Sequence, residues 1–188
     1  MDNLSKEIAA LEEEVIALRR DFHMHPELGY EEYRTSKIVY DYLKDLGLEV
    51  KKVAKTGVVG LLRGREAGKT VMLRADMDAL PQKEDTGLPY ASVNEGVMHA
   101  CGHDGHTAML LVAAKVLANH RDKIKGNIKF VFQPNEEEAG ALDMIKEGVL
   151  EDPKVDAAFA IHLWTPLKTG EIGLTVGPIM AALEEFEL

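Results

Sequence analysis

TVMLRADMDALP, residues 70–81, opens as a nearly continuous apolar run and closes on two aspartates, Asp76 and Asp78. A short run of this kind reads as a buried strand. The alternation of side chains along a strand puts both aspartates on one face of its end. Two further runs have the same character, NIKFVFQP (127–134) and VDAAFAIH (155–162). A helical pattern from about His106 to Asn119 separates the first run from the second, and a shorter one from about Gly140 to Glu147 precedes the third. Strands alternating with helices predict an α/β sheet covered on both faces.

Upstream, Leu4, Ile8, Leu11, Val15, Leu18 and Phe22 form one apolar stripe, which predicts a first helix ended by His25 and Pro26. A second helix is expected from about Glu31 to Leu46, with Gly47 as its stop. Two β-rich runs follow, LEVKKV and GVVGLLRG, joined by a turn at residues 55–57.

The 188 residues suit one domain with a real core, and 46% hydrophobic with 29% charged residues is a globular composition. A net charge of -10 leaves no electrostatic footprint for nucleic acid. No apolar run approaches the roughly 18 residues that span a bilayer. The acidic, amphipathic start MDNLSKEIAALEEEV is unlike a secretory signal, so a cytoplasmic location is expected. A lone cysteine, Cys101, cannot close an internal disulfide and is either a buried thiol or a ligand.

Open α/β sheets bind ligands beyond the carboxyl ends of their strands. Those ends carry Asp76 and Asp78, then Glu136, Glu137 and Glu138, then His162. The loop MHACGHDGHTAM (98–109) leads from the first strand into its helix and opens Cys101 and His103 onto the same rim. Thiolate, imidazole and carboxylate are the side chains that hold zinc-like divalent ions. Each also has an ordinary role: Cys101 as core, His103 as a helix-entry residue, the acidic triplet as a solvated first turn favoured by the helix dipole, His162 as a satisfied strand-end histidine. It is their convergence that favours a metal site. Hydrolysis at such a site needs one carboxylate on the metal and a separate one to move a proton, and adjacent acids supply both. Asp76 and Asp78 are expected to orient a ligand histidine. His106 is read as solvent-facing or as a support behind the ligands, Asp104 as a helix N-cap, Trp164 as core or pocket wall, and His23 and His25 as packing or surface residues.

DFHMHPELGYEE, RADMDALP, MHACGHDGHTAM, FQPNEEEAGA, AIHLW and TGEIGLTVGPIMAA, in this order, resemble the amidohydrolase branch of the M20 metallopeptidases over essentially the whole chain. The resemblance implies a zinc-peptidase-like catalytic domain with a mixed, largely parallel sheet flanked by helices. It further implies two divalent metal ions, manganese or zinc, with Cys101, His103, Glu137 and His162 as ligands and Glu136 as the general acid/base. Gln133 and Pro134 anchor that register, with Glu137 and Glu138 as the other. The implied reaction is hydrolysis of the amide bond of N-acyl amino acids; a carboxypeptidase or dipeptidase acting on short peptides is the alternative. Members of the family are about twice as long and homodimerise through an inserted satellite domain. On that pattern residues 1–178 are the N-terminal part of the catalytic domain and 179–188 begin the satellite. The chain alone is then expected to show little hydrolysis, and a non-catalytic metal-binding remnant is the competing reading.

Overall fold

A computed structural model describes residues 3–179. Its helices are α1 (Asn3–Ala9), α2 (Glu12–Met24), α3 (Tyr33–Asp45), α4 (His103–Asn119) and α5 (Ala141–Lys146). Its strands are β1 (Glu49–Val53), β2 (Gly57–Arg63), β3 (Glu66–Asp76), β4 (Lys125–Gln133) and β5 (Ala157–Ala160). They form one sheet in the order β1-β2-β4-β3-β5. β1 with β2 and β2 with β4 are antiparallel, whereas β3 runs parallel to both β4 and β5. The sheet is therefore mixed, and its parallel half comprises the three runs that the sequence singles out.

The two faces of the sheet bury different side chains. Val58 and Leu62 of β2 and Phe130 and Phe132 of β4 pack with Phe22 of α2, Val39 and Leu43 of α3 and Leu111 of α4. Val59 and Val131, one step along each strand, turn to the opposite face and meet Met144 of α5 and Val149, as the two-residue strand period requires. Lys129 also faces that second side. It is 2% exposed, and its ammonium donates to the carbonyls of Val149, Glu151 and Pro153 at 2.9, 2.7 and 2.9 Å.

The expected single first helix is two. The chain turns at Ala10 and Leu11, and α2 begins on Glu12, Glu13 and Glu14, acids that favour a helix N-terminus. The apolar stripe therefore does not run on through α1: Leu4 and Ile8 stay exposed, while Phe22 of α2 is fully buried. The helix expected from about Glu31 is α3 and starts at Tyr33, and the Glu27 carboxylate accepts from the amides of Arg34 and Thr35 in its first turn, at 2.9 and 2.8 Å. Strand β5 is exposed along its length. No described helix is long and apolar enough to cross a membrane. Of the segment 179–188, all but Ile179 lies outside the described residues.

Candidate metal centre

Register places the site. Asp76 of β3 pairs with Gln133 of β4 and Arg74 with Ala160 of β5, so the three strand ends stand side by side and His162 follows β5 by two residues. Beyond Gln133 the chain reverses sharply, with Asn135 at φ 51 and Ala139 at φ 63 bracketing a one-turn helix, Glu136–Glu138. The fully buried carboxylate of Glu32 fixes this reversal by accepting from the Asn135 amide at 2.8 Å and the Thr56 hydroxyl at 2.5 Å. The Glu137 amide donates to the carboxylate of Asp78 at 3.1 Å. On the other side of the rim, Gly102 takes φ 87 immediately before α4, a left-handed conformation that glycine adopts at least cost. That turn points Cys101 and His103 toward the acids.

The sequence-selected residues come together here. Cys101, His103 and His162 each place one ligand atom within 4.8 Å of the others, and so do His103, Glu136 and Glu137. Glu138 is in neither group. His103 belongs to both, and its geometry is informative. Its Nδ1–H donates to the Asp78 carbonyl at 2.8 Å, with an Asp78 carboxylate oxygen at 3.4 Å. The other nitrogen, Nε2, is buried and has no hydrogen-bond partner. Around it stand oxygens of Asp76, Glu136 and Glu137 at 3.7, 3.7 and 3.8 Å. His162 is arranged likewise: Nδ1–H donates to the Leu163 carbonyl at 2.6 Å, and Nε2 faces the Cys101 sulfur at 3.4 Å. Two imidazole lone pairs, a thiol and two carboxylates thus converge on one space too wide for direct bonds among them all. An orphaned buried imidazole nitrogen costs free energy unless something occupies that space, and this donor set suits a zinc-like divalent ion.

The electrostatics agree. Burial and the nearby Glu137, Glu136 and Asp76 carboxylates push the Cys101 thiol up to about 12, so cationic charge is needed to make it a thiolate. Glu136 is raised from the usual carboxylate value by burial and by Asp76, which suits a group that takes and returns a proton. Asp76 behaves oppositely. Burial raises it, but the His106 hydrogen bond and the charges of His103 and Arg74 outweigh burial and hold it at about 2. Asp78 thus sits on the Nδ1 side of His103, while Asp76 holds His106 at 2.6 Å and keeps an oxygen 3.7 Å from the orphaned His103 Nε2.

Of the two roles expected for His106, the structure excludes the solvent-facing one and agrees with a support: it is 3% exposed and bonded on both ring nitrogens. Other expectations need correcting. Asp104 is not a cap. The N-cap position is Gly102; Asp104 lies in the first turn of α4, where its carboxylate accepts from the Gly105 amide at 2.9 Å, and it is buried and paired with His23 at 2.7 Å and Arg19 at 3.0 Å. His23 is a packing residue of a polar kind, bridging Asp104 to Glu84. Trp164 is exposed, edge-on to the His162 ring. Sequence reasoning missed Glu32, whose only local sign is an acid preceding a helix; its partners lie far along the chain.

Comparisons with known proteins bear on this geometry. The chain is 46% identical to an N-acyl-L-amino acid amidohydrolase of Geobacillus stearothermophilus, covering 98% of this chain and 50% of that protein. It is 45% identical to thermostable carboxypeptidase 1 of Saccharolobus solfataricus, covering 100% of this chain and 49% of that one. The chain thus spans about half the length of the curated relatives it matches. The fold superposes with a TM-score of 0.85, at 43% identity, on the crystal structure of the YXEP protein of Bacillus subtilis, a dinuclear metal binding peptidase; 90% of this chain and 48% of that one are covered. Residues 72–187, which include the end of β3, the Cys101 loop, the acidic turn and His162, match the family described as Peptidase family M20/M25/M40. With that span exceeding half of its length, this chain belongs to peptidase family M20/M25/M40.

Proposed function

We propose that this chain carries the metal-binding and proton-transferring machinery of a hydrolase that cleaves the amide bond of N-acyl amino acids. The observation that carries the reading is the buried, unpartnered Nε2 of His103 facing the carboxylates of Glu136 and Glu137, with Cys101 and His162 beside it. Cys101, His103, Glu137 and His162 would hold two divalent ions; a thiolate among imidazoles favours zinc, and the carboxylates admit manganese. When bound, the ions supply the positive charge that acidifies a water and polarises an amide carbonyl. Glu136, with its raised proton affinity, takes the water proton and delivers it to the departing amine. Arg74, bonded to Asp76 at 2.8 Å and 3.9 Å from Glu136, keeps the acidic rim from accumulating unbalanced charge. A thiol used as a ligand belongs in a reducing compartment, and we assign the protein to the cytoplasm on that ground.

The amidohydrolase relative favours an acyl-amino-acid substrate. The carboxypeptidase relative keeps a C-terminal peptide bond as the second reading. Metal content after dialysis, together with release of amino acid from N-acetyl amino acids, tests the proposal. Cys101→Ser and His162→Ala are expected to lose metal. Glu136→Gln is expected to keep it and to lower any turnover that the wild-type chain shows by about 10²–10⁴-fold. Equal metal content in wild type and both ligand variants would remove the site, and turnover indifferent to Glu136→Gln would remove the acid/base assignment.

A further inference from the structure

Asp76, His103 and His106 also lie within ligand distance of one another, but His106 has no lone pair to give. Its Nε2 accepts the Leu163 amide at 2.8 Å. That nitrogen is therefore unprotonated, and Nδ1 carries the hydrogen, which it donates to the Asp76 carboxylate at 2.6 Å. Both ring nitrogens of this buried imidazole are thus committed. One holds the end of β3 and the other the backbone one residue past His162. The His106 and His162 rings meet edge to face, 4.6 Å between centroids. The surface of α4 is cut to receive this segment. A β-carbon on Gly105 would fall 2.6 Å from the Leu163 side chain, and one on Gly102 3.5 Å from it.

We propose that His106 is a positioning residue, a latch that seats the His162–Leu163 backbone on α4 so that His162 Nε2 faces Cys101. The inference rests on the metal reading above and adds to it the part that holds the one ligand borne on the exposed edge of the sheet. Strand β5 is exposed throughout, and the His106–Leu163 bond ties the backbone next to His162 to the body of the fold. Aspartate keeps the imidazole in the tautomer that can accept, as carboxylate partners of ligand histidines do in metal sites.

Two substitutions separate the latch from mere packing. Glutamine at 106 can carry an acceptor oxygen to the position of Nε2; asparagine can reach Asp76 but not Leu163. Cobalt(II) titration of the purified protein, followed by the thiolate-to-cobalt absorption band, reads ligation by Cys101 without any assay of turnover. His106→Asn is expected to weaken cobalt binding by about 10-fold or more, with the thiolate band reached at higher cobalt. His106→Gln is expected to restore affinity to near wild type. Wild-type affinity in both variants overturns the latch while leaving the metal reading intact. A wild-type protein that takes up no cobalt overturns the metal reading and the latch with it. Nitrogen NMR of the wild-type histidines needs no variant: a proton on Nδ1 of His106 supports the latch, and a proton on Nε2 overturns it.

Discussion

Glu32 shows how one side chain can set the geometry of a site it never touches. Its buried carboxylate ties the Asn135 amide, and so the turn that presents Glu136 and Glu137, to the Thr56 hydroxyl. Burial raises its proton affinity above the ordinary value of 4.5, though these two hydrogen bonds oppose the rise. A raised folded value contributes stability that is complete below the unfolded value and fades as pH climbs through the folded one. Wild type should therefore lose thermal stability relative to Glu32→Gln as pH rises above about 4.5, and parallel melting curves across that range would contradict it. Residues of this type are invisible in the sequence because their meaning lies in distant partners. Cys101, His103, Glu136, Glu137 and His162 were legible because each sits where a predicted strand or helix meets the rim. The pairings of His106 with Asp76 and Leu163, and of His23 with Asp104 and Glu84, needed the packed structure.

Strand β4 teaches the same lesson over a longer stretch. Read as nearly continuous apolar sequence, it contains a lysine that faces the α5 side of the sheet and gathers three carbonyls from residues 149–153. The clamp closes the connection leading to β5 and hence to His162. Lys129→Met keeps the stem and removes the donors, leaving the buried Val149 carbonyl unpaired, and should cost about 1–3 kcal/mol. Denaturant unfolding of the two proteins measures the difference, and a variant as stable as wild type would show that water replaces the ammonium without loss. Periodicity was a sound guide where a side chain's role is burial, as for Phe22, Val39, Leu43 and Phe130. It failed at residues 10–11, where an apolar stripe passes through a break that the acids of α2 determine.

Taken together, the chain joins two kinds of material. Asp76, Asp78, His103, Glu136 and Glu137 stand on or beside β3, β4 and α4, whose side chains fill the main core. His162 stands at the end of β5, with Phe159, Ile161, Leu163 and Trp164 all exposed around it. Elements with few buried contacts open at lower free energy than the core does. Amides of β5 and of residues 161–164 should exchange with solvent well before those of β4, and addition of a divalent ion should slow the first group while leaving the second unchanged. Uniform protection before and after would show that the edge is already as firm as the centre. A cation held between these two parts would act as a rivet, with one side set in a stiff plate and the other in a pliant margin. Much of its binding energy would go into freezing that margin, which makes the tightness of the grip a direct report on how well the margin is already held.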